Sequence, residues 1–110
     1  MNKNFLYLCL IKSTFKKLSN SKLEIEWAKK LSANRAKEYL FTRGHSRNFL
    51  SKIYGIPPLD VPLHSPPGKA PLLKNNLGYL SISHCKTSCL IGFSKYPIGV
   101  DIEIKNRDFL

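Results

Sequence analysis

Six of the seven prolines of this 110-residue chain fall within sixteen residues, 56–71, which read IPPLDVPLHSPPGKAP. Proline has no backbone N–H and a fixed φ, so it stops a helix and cannot sit inside a sheet ladder. The segment is therefore extended and irregular, short of donors and stiff enough to hold a loop in one shape. Regular structure must come from the residues on either side of it. Apolar content of 43% and aromatic content of 11% suit a folded chain, and the length suits one small domain with a modest core.

Upstream, the periodicity is helical. NSKLEIEWAKKLS opens on Asn20 and Ser21, both good N-cap types, and spaces Leu23, Trp27 and Leu31 along one helical face. A second helix is expected over Ala33–Tyr54, with Ala36, Tyr39, Leu40, Phe49, Leu50, Ile53 and Tyr54 recurring near helical spacing. Gly44 interrupts the pattern and marks a place for a bend or a break; Gly55 ends it, and Pro57-Pro58 forbids continuation. At the start of the chain, MNKNFLYLCLIKS holds an apolar run too short to span a membrane and followed by no small-residue cleavage site. Residues 5 to 11 are expected to form a buried first strand.

Downstream, the pattern is that of strands. GYLSISH and CLIGFSK are two strands joined by CKTS, and SKYP turns the chain into a third, IGVDIEI. The expected fold class is α+β, with helices packed on a small antiparallel sheet. No internal repeat or low-complexity tract is present.

The formal net charge is +11, from 18 Lys and Arg against 7 Asp and Glu. An excess of this size predicts a polyanionic partner, whether nucleic acid, anionic lipid, a phosphorylated cofactor or an acidic protein. The cysteines, Cys9, Cys85 and Cys89, are odd in number and show no paired framework, which points to a reducing, cytoplasmic setting. Cys85, Cys89 and the neighbouring His84 supply too few ligands for a zinc site.

Acidic residues are scarce, yet two stand one residue apart in Asp101-Ile102-Glu103. On a strand, residues i and i+2 share a face, so both carboxylates point one way and Val100 and Ile102 the other. Adjacent carboxylates repel unless a cation lies between them, and a hard divalent ion such as Mg²⁺ suits two carboxylates, waters and phosphate oxygens. From the spacing alone, a solvated edge strand that carries two acids is the simpler reading. Ser83-His84 ends a strand with a hydroxyl and an imidazole, both able to meet phosphate, though a histidine at a turn often only packs. Gly68-Lys69 combines a residue that lets a backbone approach a ligand with a positive charge, though loop lysines are usually just solvated.

Taken in order, GKAP, ISHC and PIGVDIE resemble the signature of the surfactin-type 4'-phosphopantetheinyl transferases, which read Gly-Lys-Pro, Ile-Ser-His-Ser and Gly-Val/Ile-Asp-Ile-Glu at similar intervals. The last motif is complete; Cys85 stands for the usual serine in the second, and Ala70 is inserted in the first. Upstream, LSANRAKEYLFTRGHSRNFLSKIYG resembles the family's basic helical segment. The resemblance implies transfer of the phosphopantetheine arm of coenzyme A to a serine of an acidic acyl or peptidyl carrier protein, with no nucleic acid and no membrane involved. It implies two similar α+β halves with coenzyme A between them. Residues 1–98 match the N-terminal half, and 99–110 the first strand of the second.

Residue by residue, Asp101 and Glu103 match the magnesium ligands and the catalytic centre. Ser83 and His84 match contacts to the 3'-phosphate of coenzyme A, and Gly68, Lys69 and Pro71 the loop at its adenine end. Arg43 matches a basic residue facing the phosphates, with Arg35 and Lys37 as further basic contacts. The family's later Trp-x-x-Lys-Glu motif, whose glutamate completes the metal site, does not occur in these 110 residues. Little or no transfer is therefore expected from them alone. The competing expectations are an inactive remnant and a basic nucleic-acid-binding module, although no helix-turn-helix, RNP-type or zinc pattern is visible.

Overall fold

The computed structural model describes residues 5–12, 18–85 and 88–97. Strand β1 (Leu6–Lys12) is followed by helix α1 (Lys22–Ala28) and the long helix α2 (Ala33–Tyr54). The proline segment holds a 3₁₀ turn at Pro58–Asp60 and two short strands, β2 (Leu63–His64) and β3 (Leu72–Leu73). Strands β4 (Tyr79–Cys85) and β5 (Ser88–Ser94) complete the described chain. The class is α+β, two helices with small antiparallel sheets. The expected third strand, with Asp101 and Glu103, lies outside the described residues.

Helix α1 starts with a capping box. Ser21 Oγ accepts from the Glu24 N–H at 3.1 Å, and Glu24 Oε1 accepts from the Ser21 N–H at 3.0 Å. Its buried face is not the expected Leu23–Trp27–Leu31 stripe. Glu24 and Ala28 are the buried residues, and Leu23 is 49% exposed. An ion pair from α2, described below, turns Glu24 inward and rotates the helix accordingly.

Helix α2 runs unbroken through Gly44. A methyl group at Gly44 would stand 2.8 Å from Leu18 Cβ, so the glycine admits the chain that crosses the helix there. Gly55 closes the helix in the left-handed region (φ 67°), its N–H donating to Ser51 O at 2.8 Å. Between the apolar ends, the buried positions are polar or small: Thr42, Gly44, His45, Ser46 and Arg47. The middle of α2 is thus buried by hydrogen bonding more than by apolar contact.

The main sheet has the order β1-β5-β4, all antiparallel. Cys9 pairs with Ile91 and Ile91 with Ile82; Tyr7 pairs with Phe93 and Phe93 with Leu80. These positions share one face, which packs with Leu50 of α2 and with Val61, Leu63 and Leu73 of the proline segment. Phe93, Ile91 and Leu50 are fully buried, each contributing about 1.5–3 kcal/mol. The alternate positions form the opposite face. There Leu6, Leu8 and Leu10 are 60%, 59% and 54% exposed. The strand expected at residues 5 to 11 is present, but it is not a buried strand: among the described residues it stands at the sheet edge, and α2 covers only the other face.

One buried ion pair joins three segments. Arg47 Nη2 lies 2.8 Å from Glu24 Oε2, with 4% and 1% of the two side chains exposed. Arg47 Nε also donates to the Glu24 carboxylate. Its remaining donors reach the carbonyls of Pro58 (3.1 Å), Val61 (2.9 Å) and Leu63 (3.2 Å). All five N–H groups of the guanidinium are therefore engaged. They tie α1 and the proline segment to α2. No helix among the described residues is long and apolar enough to cross a membrane.

Candidate functional site

Four residues of α2, Arg35, Glu38, Tyr39 and Thr42, stand at i, i+3, i+4 and i+7, and Arg43 follows at i+8. This spacing puts them on one stripe of the helix. The stripe faces the proline segment and the end of β4. Between them lies a cavity of about 190 Å³, lined by these five residues with Leu31, Pro67, Gly68, Ile82 and His84. Its volume suits a phosphate group or a base, not a whole nucleotide cofactor.

The loop side of the cavity is a tight turn. Lys69 N–H donates to Pro66 O at 3.3 Å, closing residues 66–69, and Gly68 has φ 77°. Proline second and a positive-φ glycine third are the requirements of a type II turn. A Cβ at Gly68 would meet nothing within 4 Å, so the backbone angle, not crowding, calls for glycine. Ser65 fastens the loop to the helix: its carbonyl accepts from Tyr39 Oη at 2.7 Å, and its Oγ accepts from Arg43 Nε at 2.9 Å.

Arg43 is the central cation. Its guanidinium carbon lies 4.7 Å from the centroid of the Tyr39 ring, and Nη1 donates to Thr42 Oγ1 at 2.9 Å. Among the described residues no carboxylate forms a salt bridge with it. Burial lowers its pKa from the ordinary arginine value, with Tyr39 opposing the shift. Arg43 is thus a partly desolvated charge held by neutral dipoles and a ring face, which suits it to receive an anion. Burial also pushes the Tyr39 hydroxyl up to about 12, so at neutral pH it keeps its proton and serves as the hydrogen-bond donor to Ser65 O.

His84 enters from β4. Its Nδ1 lies 3.8 Å from Glu38 Oε2, and its ring meets Phe41 edge-on at 6.3 Å. Protonation of His84 would turn the Glu38 contact into an ion pair. With Arg35 and Arg43 against Glu38, the cavity is net positive even with His84 neutral.

The expected site residues separate into groups. Arg35, Arg43, Gly68 and His84, from three distant stretches of sequence, line one cavity. Lys37 is exposed and sits about 200° around the helix from Arg35. Ser83, by strand alternation, is on the sheet face opposite to His84. Pro71 lines a second, larger hollow of about 650 Å³ with Phe5, Tyr54, Leu73 and Tyr79, and Lys69, between Gly68 and Pro71 in sequence, is exposed. Asp101 and Glu103, the expected metal ligands, lie outside the described residues. Among the described residues no group of three or more His, Cys, Asp and Glu could hold a metal ion.

Tyr39, Thr42 and Ser65 were not apparent as site residues from sequence. The i, i+3, i+4 relation of Tyr39 and Thr42 to Arg35 and Arg43 was the available signal for the first two. Ser65 carried none beyond its place before Pro66. Comparison of the chain with protein families, with curated proteins and with solved structures gives no match.

Proposed function

We propose that these residues are the N-terminal half of a 4'-phosphopantetheinyl transferase of the surfactin type, and that the Arg43 cavity receives a phosphate group at the adenosine end of coenzyme A. The observation that carries the proposal is the convergence of Arg35, Arg43, Gly68 and His84 on one positive cavity, with Arg43 lacking a carboxylate partner among the described residues. The motif resemblance includes these four among the ten residues it selects, independently of their positions in space.

In the reaction, the hydroxyl oxygen of a carrier-protein serine attacks the phosphorus nearer the pantetheine arm. A new P–O bond forms as the serine hydroxyl gives up its proton to water, the pyrophosphate P–O bond breaks, and 3',5'-ADP leaves. Arg43 and Arg35 supply positive charge beside the phosphates, and His84 reaches the 3'-phosphate through its ring N–H. The Pro67-Gly68 turn closes the loop side of the cavity. Mg²⁺, held by the hard oxygen donors of Asp101 and Glu103, would neutralise the pyrophosphate. The basic chain favours both a polyphosphate substrate and an acidic carrier protein.

Calorimetric titration with coenzyme A and with its 3'-dephospho form tests the proposal. Loss of one charge-assisted hydrogen bond costs about 1.5–3 kcal/mol, so Arg43→Met and His84→Gln should each weaken coenzyme A binding about tenfold or more. His84→Gln should not weaken binding of the dephospho form. Equal affinity of the unaltered protein for both forms, or indifference to Arg43→Met, would rule the site out. Tight DNA binding without coenzyme binding would favour a nucleic-acid module instead.

A further inference from the structure

Strand β1 is a seven-residue edge strand whose outer side has no partner among the described residues. Edge strands in soluble proteins are commonly blocked by a charge, a proline or a bulge. Here residues 6–11, LYLCLI, contain none of these, and the only charge in the strand is Lys12 at its end. The register with β5 is continuous from Leu6 to Lys12, so no bulge turns the edge away. Beside this edge, the outward sheet face exposes Leu6, Leu8 and Leu10 by more than half.

We propose that the partner of this edge is a second copy of the same chain, joined by antiparallel pairing of β1 with β1 about a two-fold axis at Cys9. The sequence of the strand is complementary to itself in that register. Cys9 stands opposite Cys9, Leu8 opposite Leu10, and Tyr7 opposite Ile11, an aromatic against a β-branched residue, which is a favourable cross-strand pair. Lys12 falls opposite Leu6, so the two lysines lie at opposite ends of the seam. The two three-stranded sheets become one six-stranded sheet, and the leucines of both copies form one apolar strip across the join. Such an isologous contact closes on itself and leaves no further edge at the seam.

The charge of the chain gives the pairing a signature. Two copies at +11 repel each other, while the contact itself carries only the two Lys12 side chains, one at each end of the seam. Added salt screens the repulsion and should strengthen the dimer. Anion binding at the Arg43 cavity should respond to salt in the opposite sense, so the two proposals fail separately.

Sedimentation equilibrium over a concentration series, at low and high salt, reads the mass directly. A dimer that strengthens with salt is expected, and Leu8→Lys, at an exposed position, should yield a monomer with unchanged helical circular dichroism. The register is read by diamide oxidation, in which two thiols lose their hydrogens to the reagent. Directly opposed residues of an antiparallel pair have Cα atoms about 4.5–5.5 Å apart, within disulfide range. In a Cys85→Ser protein, with Cys89 fully buried, a covalent dimer should form, and adding Cys9→Ser should abolish it. A monomer at every concentration and salt, or a dimer untouched by Leu8→Lys, would overturn the proposal; a dimer that Cys9 does not link would overturn the register.

Discussion

Replacing Arg47 by methionine should come close to unfolding the protein. The side chain is almost entirely buried, and its partner Glu24 even more so. Removing one member of a buried pair typically costs about 3–5 kcal/mol, because the other charge is left uncompensated. A 110-residue domain has about 5–15 kcal/mol of stability in total, so the loss is a large fraction of it. With a urea m-value of about 1–1.5 kcal/mol/M for a domain of this size, the unfolding midpoint should fall by about 2–5 M. Circular dichroism in urea measures this. A double variant sharpens the test. Apolar replacement of both members of a simple buried pair is often neutral, so Glu24→Met with Arg47→Met would then restore stability. Here Arg47 also satisfies the carbonyls of Pro58, Val61 and Leu63, which the double variant leaves unpaired. It should therefore recover the charge penalty and still lose about 1–3 kcal/mol for each carbonyl that water cannot reach. A midpoint shift below about 0.5 M for Arg47→Met, or full recovery in the double variant, would refute the three-way clamp.

Two further outcomes follow from local geometry. Gly78 has φ 142°, and a Cβ there would lie 2.7 Å from Ser94 O and 2.8 Å from the Phe93 ring; strain and overpacking each cost about 1–3 kcal/mol, so Gly78→Ala should lower Tm by roughly 10 °C or more, and a change within about 2 °C would contradict the packing. Tyr39 has its folded pKa raised to about 12 from 10.0, chiefly by burial; the unfolded hydroxyl ionises first, so its contribution to stability is intact below pH 10 and is lost as pH rises toward 12. Urea midpoints across that range should fall, and Tyr39→Phe should make the fall shallower.

Much of the secondary structure was legible because its signals are local. Helix α2 begins and ends where the periodicity and Gly55 put it, and β4 and β5 follow period-2 runs. The misreadings concern what each element packs against. Leu23 and Trp27 of α1, with Leu31 beyond its end, form an apolar stripe in the sequence, yet Glu24 turns inward because Arg47, 23 residues away, binds it. The apolar run of β1 suits a buried strand, but a strand at the rim of a sheet with one covered face exposes its alternate leucines. In the proline segment, burial alternates at Val61, Leu63 and Ser65, a strand-like pattern that the flanking prolines obscured. The cavity was legible only in pieces. The motifs supplied Arg43, Gly68 and His84, whereas the side chains that orient them, Tyr39, Thr42 and Ser65, are ordinary residues whose role comes from the docking of the proline loop onto α2.

Arg43 and Arg47 stand one helical turn apart, and their surroundings separate binding from folding. Arg47 is neutralised by Glu24 and has every donor engaged. Arg43 is partly buried against hydroxyls and a ring, and burial disfavours its charged form. A cation so placed contributes little to folding, since its desolvation offsets its hydrogen bonds. Arg43→Met should therefore change stability by no more than about 1 kcal/mol and could raise it, while anion binding is lost. Arg47→Met should do the reverse in any fraction that remains folded. If Arg43→Met instead unfolds the protein as Arg47→Met does, the first arginine is a second structural clamp, and the cavity has no unmatched cation with which to hold a phosphate.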